Sequence, residues 1–260
     1  MGRLLLIDGN NIVRRIYEAQ PVDDSPEKAQ RALLSSVSSF RRALKEHSPT
    51  HVLAAFDHGG PTWRHALLQD YHGTRKPMPQ PLKEIMPTIL TQIQALDVPT
   101  LSLPGVEADD VIATAARRWL TESRGAVTVV STDKDLTTLV AEGVSVWDHF
   151  AKVWRDEQWI QRKFGVTAAQ LQDYLALSGD SSDNVPGVPG VGPKTAAKWL
   201  NQYGSLDQLL AQGESVPGKI GEVLRANLDK LQLARQLVAF KTDLTLGITW
   251  RALRFQGRVA

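Results

Sequence analysis

The stretch Leu4-Leu5-Leu6-Ile7-Asp8-Gly9-Asn10 is a short apolar run that ends directly in an acidic turn. Four more apolar runs of strand length follow it, at 52–56, 100–103, 127–131 and 144–147. Longer segments with the spacing of amphipathic helices separate these runs, at 29–44, 82–96 and 109–120. Strands that alternate with helices predict an α/β fold, in which helices cover both faces of a mostly parallel sheet.

Carboxylates follow four of the five predicted strands. Ligands of such sheets bind beyond the carboxyl ends of the strands, so these side chains are expected to meet at one edge. A random placement of 28 acidic residues would seldom produce this convergence. The residues are Asp8, Asp57, the group Glu107-Ala108-Asp109-Asp110 and the group Asp133-Lys134-Asp135.

Each acidic group has a purely structural explanation when it is taken alone. Asp8 suits a turn, Asp133 suits a helix cap, and 107–110 suit the positive end of a helix dipole. Several carboxylates packed together, however, repel one another strongly unless cations lie between them. The motifs contain no histidine, which favours magnesium or manganese over zinc. Two such ions would equip the edge for phosphoryl transfer.

The composition narrows the class of protein. A chain of 260 residues with 42% hydrophobic content predicts one large core, or a main domain with a smaller appendage. It contains no cysteine, which excludes disulfides, thiolate zinc sites and cysteine nucleophiles. Neither a signal peptide nor a membrane span is recognisable, so we expect a cytoplasmic protein. The formal net charge of +2 says little about nucleic acid by itself.

A glycine- and proline-rich segment at 179–197 has a different character. Its glycines permit close backbone approach, and a helix that begins at Pro193 would present free amides to a DNA phosphate. A Walker A loop is disfavoured because Pro193, and not glycine, precedes Lys194. An ordinary loop between helices is the alternative. Asp180 and Asp183 argue against it, because their spacing places two more carboxylates on one side of the turn.

Five motifs, taken in their order along the chain, resemble those of the 5′-3′ exonuclease/flap endonuclease family. The similarity extends from residue 4 to about residue 244. Trp63-Arg64-His65, Asp148-His149-Phe150 and the Met-Pro pairs at 78–79 and 86–87 further resemble short bacterial flap endonucleases without a polymerase region. The five motifs are Asp8-Gly9-Asn10, Phe56-Asp57, Glu107-Ala108-Asp109-Asp110, Thr132-Asp133-Lys134-Asp135 and Gly179-Asp180-Ser181-Ser182-Asp183-Asn184.

The resemblance implies a two-part architecture and an activity. It implies a PIN-like nuclease core at 1–165, with a partly helical arch at about 59–87. A helical C-terminal region at 166–260 would hold a helix-three-turn-helix (helix-hairpin-helix) DNA-binding region at about 173–203. The implied activity is that of a structure-specific 5′ nuclease on flapped or branched DNA in replication and repair. We expect a monomer that acts alongside a DNA polymerase and a ligase.

The resemblance also implies metal ligands. Asp109 is the strongest single prediction of a metal ligand. Manganese is expected to substitute for magnesium. The first magnesium is expected at Asp8, Asp57, Glu107, Asp109 and Asp110, and the second at Asp133, Asp135, Asp180 and Asp183. Backbone carbonyls are expected to bind potassium between protein and DNA phosphate, at Leu177, Ser178, Pro186, Val188 and Val191.

Catalytic and DNA-contacting roles follow from the same resemblance. Arg75 and His72 join Asp8 and Asp57 as predicted catalytic residues, with Arg75 on the phosphate. Solvated charge is the alternative for Arg75, Arg14 and Arg64. Independently of the resemblance, Trp119, Trp159 and Trp199 lie at apolar positions of predicted helices, which favours core packing over base stacking. Predicted DNA contacts are Gly190, Val191, Gly192, Pro193, Lys194, Thr195, Arg14, Arg64 and, as a base-stacking residue, Tyr71.

The chain departs from the family pattern in the arch. Tyr71-His72-Gly73-Thr74-Arg75 stands where the family has Tyr-Lys-Ala-x-Arg. A histidine is mostly neutral above pH 7, where lysine stays charged, so phosphate stabilisation is expected to weaken unless Lys76 compensates. A surface histidine without function is the alternative. The second-site acids are all present, which favours catalysis with two metal ions.

Two other functions compete with the nuclease. A non-catalytic clamp for branched DNA would keep the arch and hairpin, but it would not need nine clustered acids. A PIN-type ribonuclease would share the carboxylates, but it would not need the phosphate-binding segment at 187–197.

Overall fold

A mostly parallel sheet forms the centre of the protein in the computed structural model, which describes residues 2–212 and 219–257. Within these residues the sheet has six strands, in the order β3-β2-β1-β4-β5-β6. Only the β5–β6 pair is antiparallel. The strands are β1 (Arg3–Asp8), β2 (His51–Ala55), β3 (Thr100–Leu101), β4 (Ala126–Val130), β5 (Ser145–Asp148) and β6 (Val153–Trp154).

The five predicted strands are confirmed, to within two residues at each end. The sixth, β6, was not predicted, because it has two residues and both are exposed at the sheet edge. β1 lies at the centre and is buried on both faces, which explains its continuous apolar run. Leu5 and Ile7 pack against one layer of helices, and Leu4 and Leu6 pack against the other.

Helices cover both faces of the sheet and continue into a helical C-terminal region. Around the sheet lie α1 (Gly9–Glu18), α2 (Pro26–His47), α3 (Trp63–Leu67), α4 (Gln80–Gln94), α5 (Ala108–Glu122) and a 3₁₀ segment (Asp135–Glu142). The C-terminal region contains α6 (Glu157–Phe164), α7 (Ala168–Ser178), α8 (Pro193–Tyr203), α9 (Leu206–Ala211), α10 (Lys219–Ala226) and α11 (Leu228–Val238).

The C-terminal helices have a hydrophobic core of their own. Trp199 is buried there and Trp159 packs against it, while Trp119 is buried under the sheet, so the three predicted core positions are confirmed. Residues 213–218 and 258–260 of the predicted C-terminal region lie outside the described residues. No helix in the described ranges is long and apolar enough to span a membrane.

A close glycine contact shapes the loop between α7 and α8. Gly179 has a left-handed backbone (φ +71°), and a Cβ there would lie 2.4 Å from the backbone nitrogen of Gly187. A Cβ on Gly187 would meet the backbone of residue 179 at 2.5 Å. Only glycine fits at both positions, so the loop folds tightly and leads into α8 at Pro193.

Candidate active site

The candidate site lies at the carboxyl edge of the sheet, around a cleft of about 610 Å³. Asp8 is the last residue of β1, Asp57 follows β2, and Asp133 follows β4. Glu107 and Asp109 lie at the start of α5. These five carboxylates line the same cleft, and we call them the first carboxylate group.

Asp8 is buried at the junction of β1 and α1. Its Oδ1 accepts a hydrogen bond from the backbone N–H of Asn11 at 3.1 Å, and its Oδ2 accepts one from Ser131 Oγ at 2.7 Å. Burial, opposed by these bonds and assisted by the charges of Asp133 and Asp57, raises the pKa of Asp8 to about 7. A bound cation would relieve this cost, because it stabilises the ionised carboxylate.

Asp109 is surrounded by the rest of the first carboxylate group. Burial raises the pKa of Asp109 well above its ordinary value, and the charges of the other four members raise it further. Asp57 is held in place by hydrogen bonds from the backbone N–H of Ala108 at 2.9 Å and from Asn10 Nδ2 at 2.6 Å. The group is thus organised by the protein even though its charges repel one another.

A second carboxylate group consists of Asp135, Asp180 and Asp183. One oxygen of each lies within 4.8 Å of the others. Burial, with the charges of Asp133 and Asp183, raises the pKa of Asp135 well above its ordinary value. Asp135 Oδ1 is buried, and no hydrogen-bond donor among the described residues reaches it. Hard oxygen ligands in this arrangement fit a divalent cation.

Asp133 is the member of the first group whose charge also acts on the second group. The resemblance placed it with the second cation, but in the structure it lines the cleft with the first group. Its charge raises the pKa of both Asp109 and Asp135. The loop that carries Asp133 and Asp135 therefore joins the two groups.

Three cationic or ionisable side chains contact the second group. Lys134 forms an ion pair with Asp180. Arg75 Nε donates to Asp183 Oδ1 at 3.1 Å, and His72 Nε2 lies 3.6 Å from the same oxygen. Burial by itself would raise the pKa of Asp183, but the contacts with His72 and Arg75 hold it well below the ordinary value.

The turn of the predicted arch around residues 70–72 packs on the loop that carries Asp180 and Asp183. The backbone N–H of His72 donates to the carbonyl of Asp183 at 3.0 Å, and Asn184 Nδ2 donates to the carbonyl of Asp70 at 2.8 Å. The His72 ring stacks on Tyr71 with ring centres 3.9 Å apart. Position 72 thus holds the arch against the second group in addition to facing the cleft.

Arg64 and Asp110 form a buried ion pair, which changes the roles predicted for both. Arg64 is 3% exposed and donates to both Asp110 oxygens at 2.9 and 3.0 Å. It also donates to the carbonyls of Leu237 and Ala239, and the N–H of Lys241 donates to Asp110 Oδ1. Arg64 is therefore not on a DNA-facing surface, and the Asp110 oxygens face protein donors instead of the cleft.

Tyr71 is also inside the protein, at 5% exposure. Its hydroxyl donates to Glu107 Oε2 at 3.2 Å. One ring face is covered by His72, and His65 packs against the ring edge-on. Tyr71 has no free face for a DNA base, so the predicted stacking is replaced by support of Glu107.

The predicted phosphate-binding loop is exposed where a phosphate would bind. Gly190, Gly192, Pro193 and Lys194 are exposed, whereas the Val191 side chain is buried and anchors the loop. Thr195 is partly buried, and its backbone N–H already donates to the Gly192 carbonyl. Of the predicted potassium ligands, the carbonyls of Leu177 and Val188 accept from the N–H groups of Val188 and Val191, at 2.9 Å each.

Basic side chains line the same cleft as the acids. Arg14 pairs with Glu18 at 2.7 Å and donates to the carbonyl of Pro77 at 3.1 Å, which fixes it beside the predicted arch. Arg15 and Lys76 line the same cleft. Acids and bases around one cleft suit a bound phosphodiester, because the bases attract its negative charge and bound cations would neutralise the acids.

Several supporting residues have no signal in the sequence. Asn11 Oδ1 accepts hydrogen bonds from both the N–H and the hydroxyl of Thr132, and Arg155 donates to the Thr132 carbonyl. Ser131 bridges Asp8 and the N–H of Asp133. Asn11 follows the first acidic turn directly, which is a weak indication, but nothing in the sequence around Arg155 marks it.

The stability of the metal-free protein is expected to depend on Asp8. Its folded-state pKa of about 7 lies above the unfolded value of 3.8, so between these pH values the folded state binds the extra proton. In EDTA, Asp8→Asn should therefore be more stable than the parent at pH 8, and the difference should shrink towards pH 5. Urea denaturation of both proteins at each pH measures it. Burial lowers the pKa values of His47 and His149, so these residues change the stability with pH in the opposite direction. Both proteins contain them, so their effect cancels in the difference between the two free energies of unfolding. A difference that stays constant with pH would contradict the prediction.

Comparisons with known proteins settle the family. The model described as 5′-3′ exonuclease, N-terminal resolvase-like domain, matches residues 3–165, and that of the 5′-3′ exonuclease C-terminal SAM fold matches 166–259. The chain belongs to the 5′-3′ exonuclease family. This confirms the predicted class of 5′ nuclease and favours neither the clamp nor the ribonuclease.

Relatives of known name span almost the whole chain. The flap endonuclease Xni of Vibrio parahaemolyticus is 37% identical over 256 residues, covering 98% of this chain and 96% of that protein. Xni of Shewanella amazonensis is 38% identical over 255 residues, covering 98% of each. The T5 D15 protein co-crystallised with metal ions has the same fold (TM-score 0.76, 23% identity, 92% of this chain and 90% of that chain). These matches confirm the predicted PIN-like α/β architecture.

Proposed function

We propose that this 5′-3′ exonuclease-family protein hydrolyses phosphodiester bonds of flapped or branched DNA with two magnesium ions. The observation that carries the proposal is the pair of carboxylate groups joined by one short loop. The first group lines a cleft together with basic side chains, and the second brings three carboxylates within 4.8 Å of one another. A non-catalytic clamp has no need to hold so many repelling charges together. The near-complete coverage by proteins named flap endonuclease Xni supports this substrate class.

The residues of this chain divide the work between binding and orientation. The first carboxylate group would hold one ion, with Asp109 at its centre, and the second group would hold the other. When bound, such ions polarise a phosphate and lower the pKa of an attacking water. Arg75 and the other cleft bases would orient the scissile phosphate. Manganese, which takes similar oxygen ligands, is expected to replace magnesium.

The loop before α8 would hold the duplex at a distance from the cut. Its exposed glycines and the start of α8 offer backbone amides to a phosphate, with Lys194 beside them. We infer that a potassium ion at the carbonyls of the 177–191 segment adds to this contact. Since the binding groups recognise phosphates, affinity should weaken steeply with salt. Action as a monomer beside a polymerase and a ligase completes the proposal.

A labelled 5′-flap duplex tests the function directly. Incision near the junction is expected with magnesium and is expected to disappear in EDTA. A matched RNA flap separates the nuclease from a ribonuclease, since the proposal requires cleavage of the DNA flap. Tight binding without incision under magnesium or manganese would instead identify a non-catalytic clamp.

A lysine at position 72 is expected to increase cleavage, most strongly at alkaline pH. Lysine keeps its positive charge throughout the alkaline range and can stabilise the phosphate there. The measurement is the single-turnover rate of the parent and of His72→Lys between pH 7 and 9. His72→Gln serves as a control for the packing on Tyr71. Equal rates for the parent and His72→Lys across this range would show that position 72 does not act on the phosphate.

A further inference from the structure

The loop Ser131–Asp135, here called the bridging loop, carries one carboxylate of each group. Asp133 belongs to the first carboxylate group and Asp135 belongs to the second, and the chain passes directly from β4 into this loop. A single residue, Lys134, therefore separates side chains that would bind different ions. The conformation of this loop would therefore affect how far apart two bound ions lie.

Thr132 is held from two sides. Its backbone N–H and its hydroxyl donate to Asn11 Oδ1 at 3.1 and 2.8 Å. Its carbonyl accepts a hydrogen bond from Arg155 Nη1 at 2.7 Å. Asn11 is on α1, and Arg155 follows β6, so two elements distant in the chain hold one residue next to Asp133.

Arg155 is itself fixed. Its Nη2 donates to Asp148 Oδ2 at 2.9 Å, its backbone N–H donates to the carbonyl of Val146, and its guanidinium lies 4.7 Å from the ring centre of Trp159. It is 9% exposed and does not line the cleft. Arg155 is thus a buried residue outside the lining of the cleft, and its described contacts are with the protein.

We propose that Arg155, oriented by Asp148, is a positioning residue that sets the separation of the two metal ions through the Thr132 carbonyl. The inference rests on the proposed two-ion function. Its physical basis is that ligands must be held by their supporting groups within a fraction of an ångström for efficient catalysis. Loss of a supporting group around metal ligands commonly lowers affinity or activity by about 10- to 100-fold.

Two variants weaken the support with little change in volume. Arg155→Lys keeps the charge, but an ammonium cannot reproduce the planar fork that bonds Asp148 and Thr132 together. Asp148→Asn removes the ion pair, yet its remaining oxygen still accepts from the N–H groups of Phe150 and Ala151, as Oδ1 does at 3.1 and 2.9 Å. Asp148→Asn therefore tests the proposal even if Arg155→Lys folds poorly.

Arg117→Lys is the matched control. Arg117 forms a two-bond ion pair with Glu142, at 2.6 and 2.7 Å, and contacts neither carboxylate group. The full-length proteins are compared by kcat and KM for 5′-flap incision with manganese, and by electron paramagnetic resonance of bound manganese. Spin coupling between two manganese ions reports their separation and does not depend on turnover.

The expected result is a kcat lowered by about 10- to 100-fold in both variants, with KM for the flap unchanged and the manganese coupling altered. The control should match the parent in all three measurements. If the parent cleaves and both variants match the control, or if kcat falls only in proportion to unfolded protein, the positioning role is overturned. If the parent shows neither incision nor a coupled manganese pair, the proposed function itself fails, and this inference fails with it.

Discussion

Replacing Asp109 with asparagine is expected to reduce flap incision by more than about 100-fold, a larger loss than removal of a supporting group causes. The reason is its position, since Asp109 lies among all the other members of the first carboxylate group. Binding of flap DNA should be retained or tightened, because the variant removes a negative charge from a cleft that faces phosphates. Single-turnover incision with magnesium and fluorescence anisotropy in EDTA measure the two effects.

Asp23→Asn provides the control for this experiment. Asp23 is an exposed carboxylate outside the cleft, so the same change of charge there should alter neither incision nor binding. Incision by Asp109→Asn at more than about a tenth of the parental rate would remove this residue from the metal site, because loss of a direct ligand should exceed the 10- to 100-fold range of supporting groups.

Replacing Arg64 with methionine is expected to lower the free energy of unfolding by about 3 to 5 kcal/mol. The substitution leaves the buried Asp110 carboxylate without its ion-pair partner, and it removes the hydrogen bonds to the carbonyls of Leu237 and Ala239. These contacts join the predicted arch, α5 and the end of α11. Urea denaturation in EDTA gives the stability change without any contribution from bound metal.

An exposed ion pair serves as the comparison. Arg235→Met breaks the surface pair with Asp207 and should cost no more than about 1 kcal/mol. The double variant Arg64→Met with Asp110→Asn should recover part of the loss, since the charge of Asp110 is removed. Recovery is expected to be incomplete because Glu107, whose Oε2 lies 3.3 Å from Arg64 Nη1, still loses its partner. A loss of less than about 1 kcal/mol in Arg64→Met would show that this pair does not hold the two regions together.

The sequence by itself determined the sheet and the place of the chemistry. Apolar runs of strand length, separated by helical spacing, are local signals, and they predicted five of the six strands found in the described part of the chain. Acidic residues directly after those runs placed the site, because parallel strands end at a common edge. Ordered motifs determined the family because each motif is a short continuous segment that can be read directly from the sequence.

The tertiary structure alone decided which partner each charged residue has. Asp109 and Asp110 are neighbours in the chain, yet one lies in the acidic cleft and the other is paired with Arg64, 46 residues away. Likewise Asp133 and Asp135 divide between two groups, and the contact of Arg155 with Thr132 has no marker in the sequence. Burial and pairing depend on how distant segments pack, and identical side chains carry no local sign of which environment they enter.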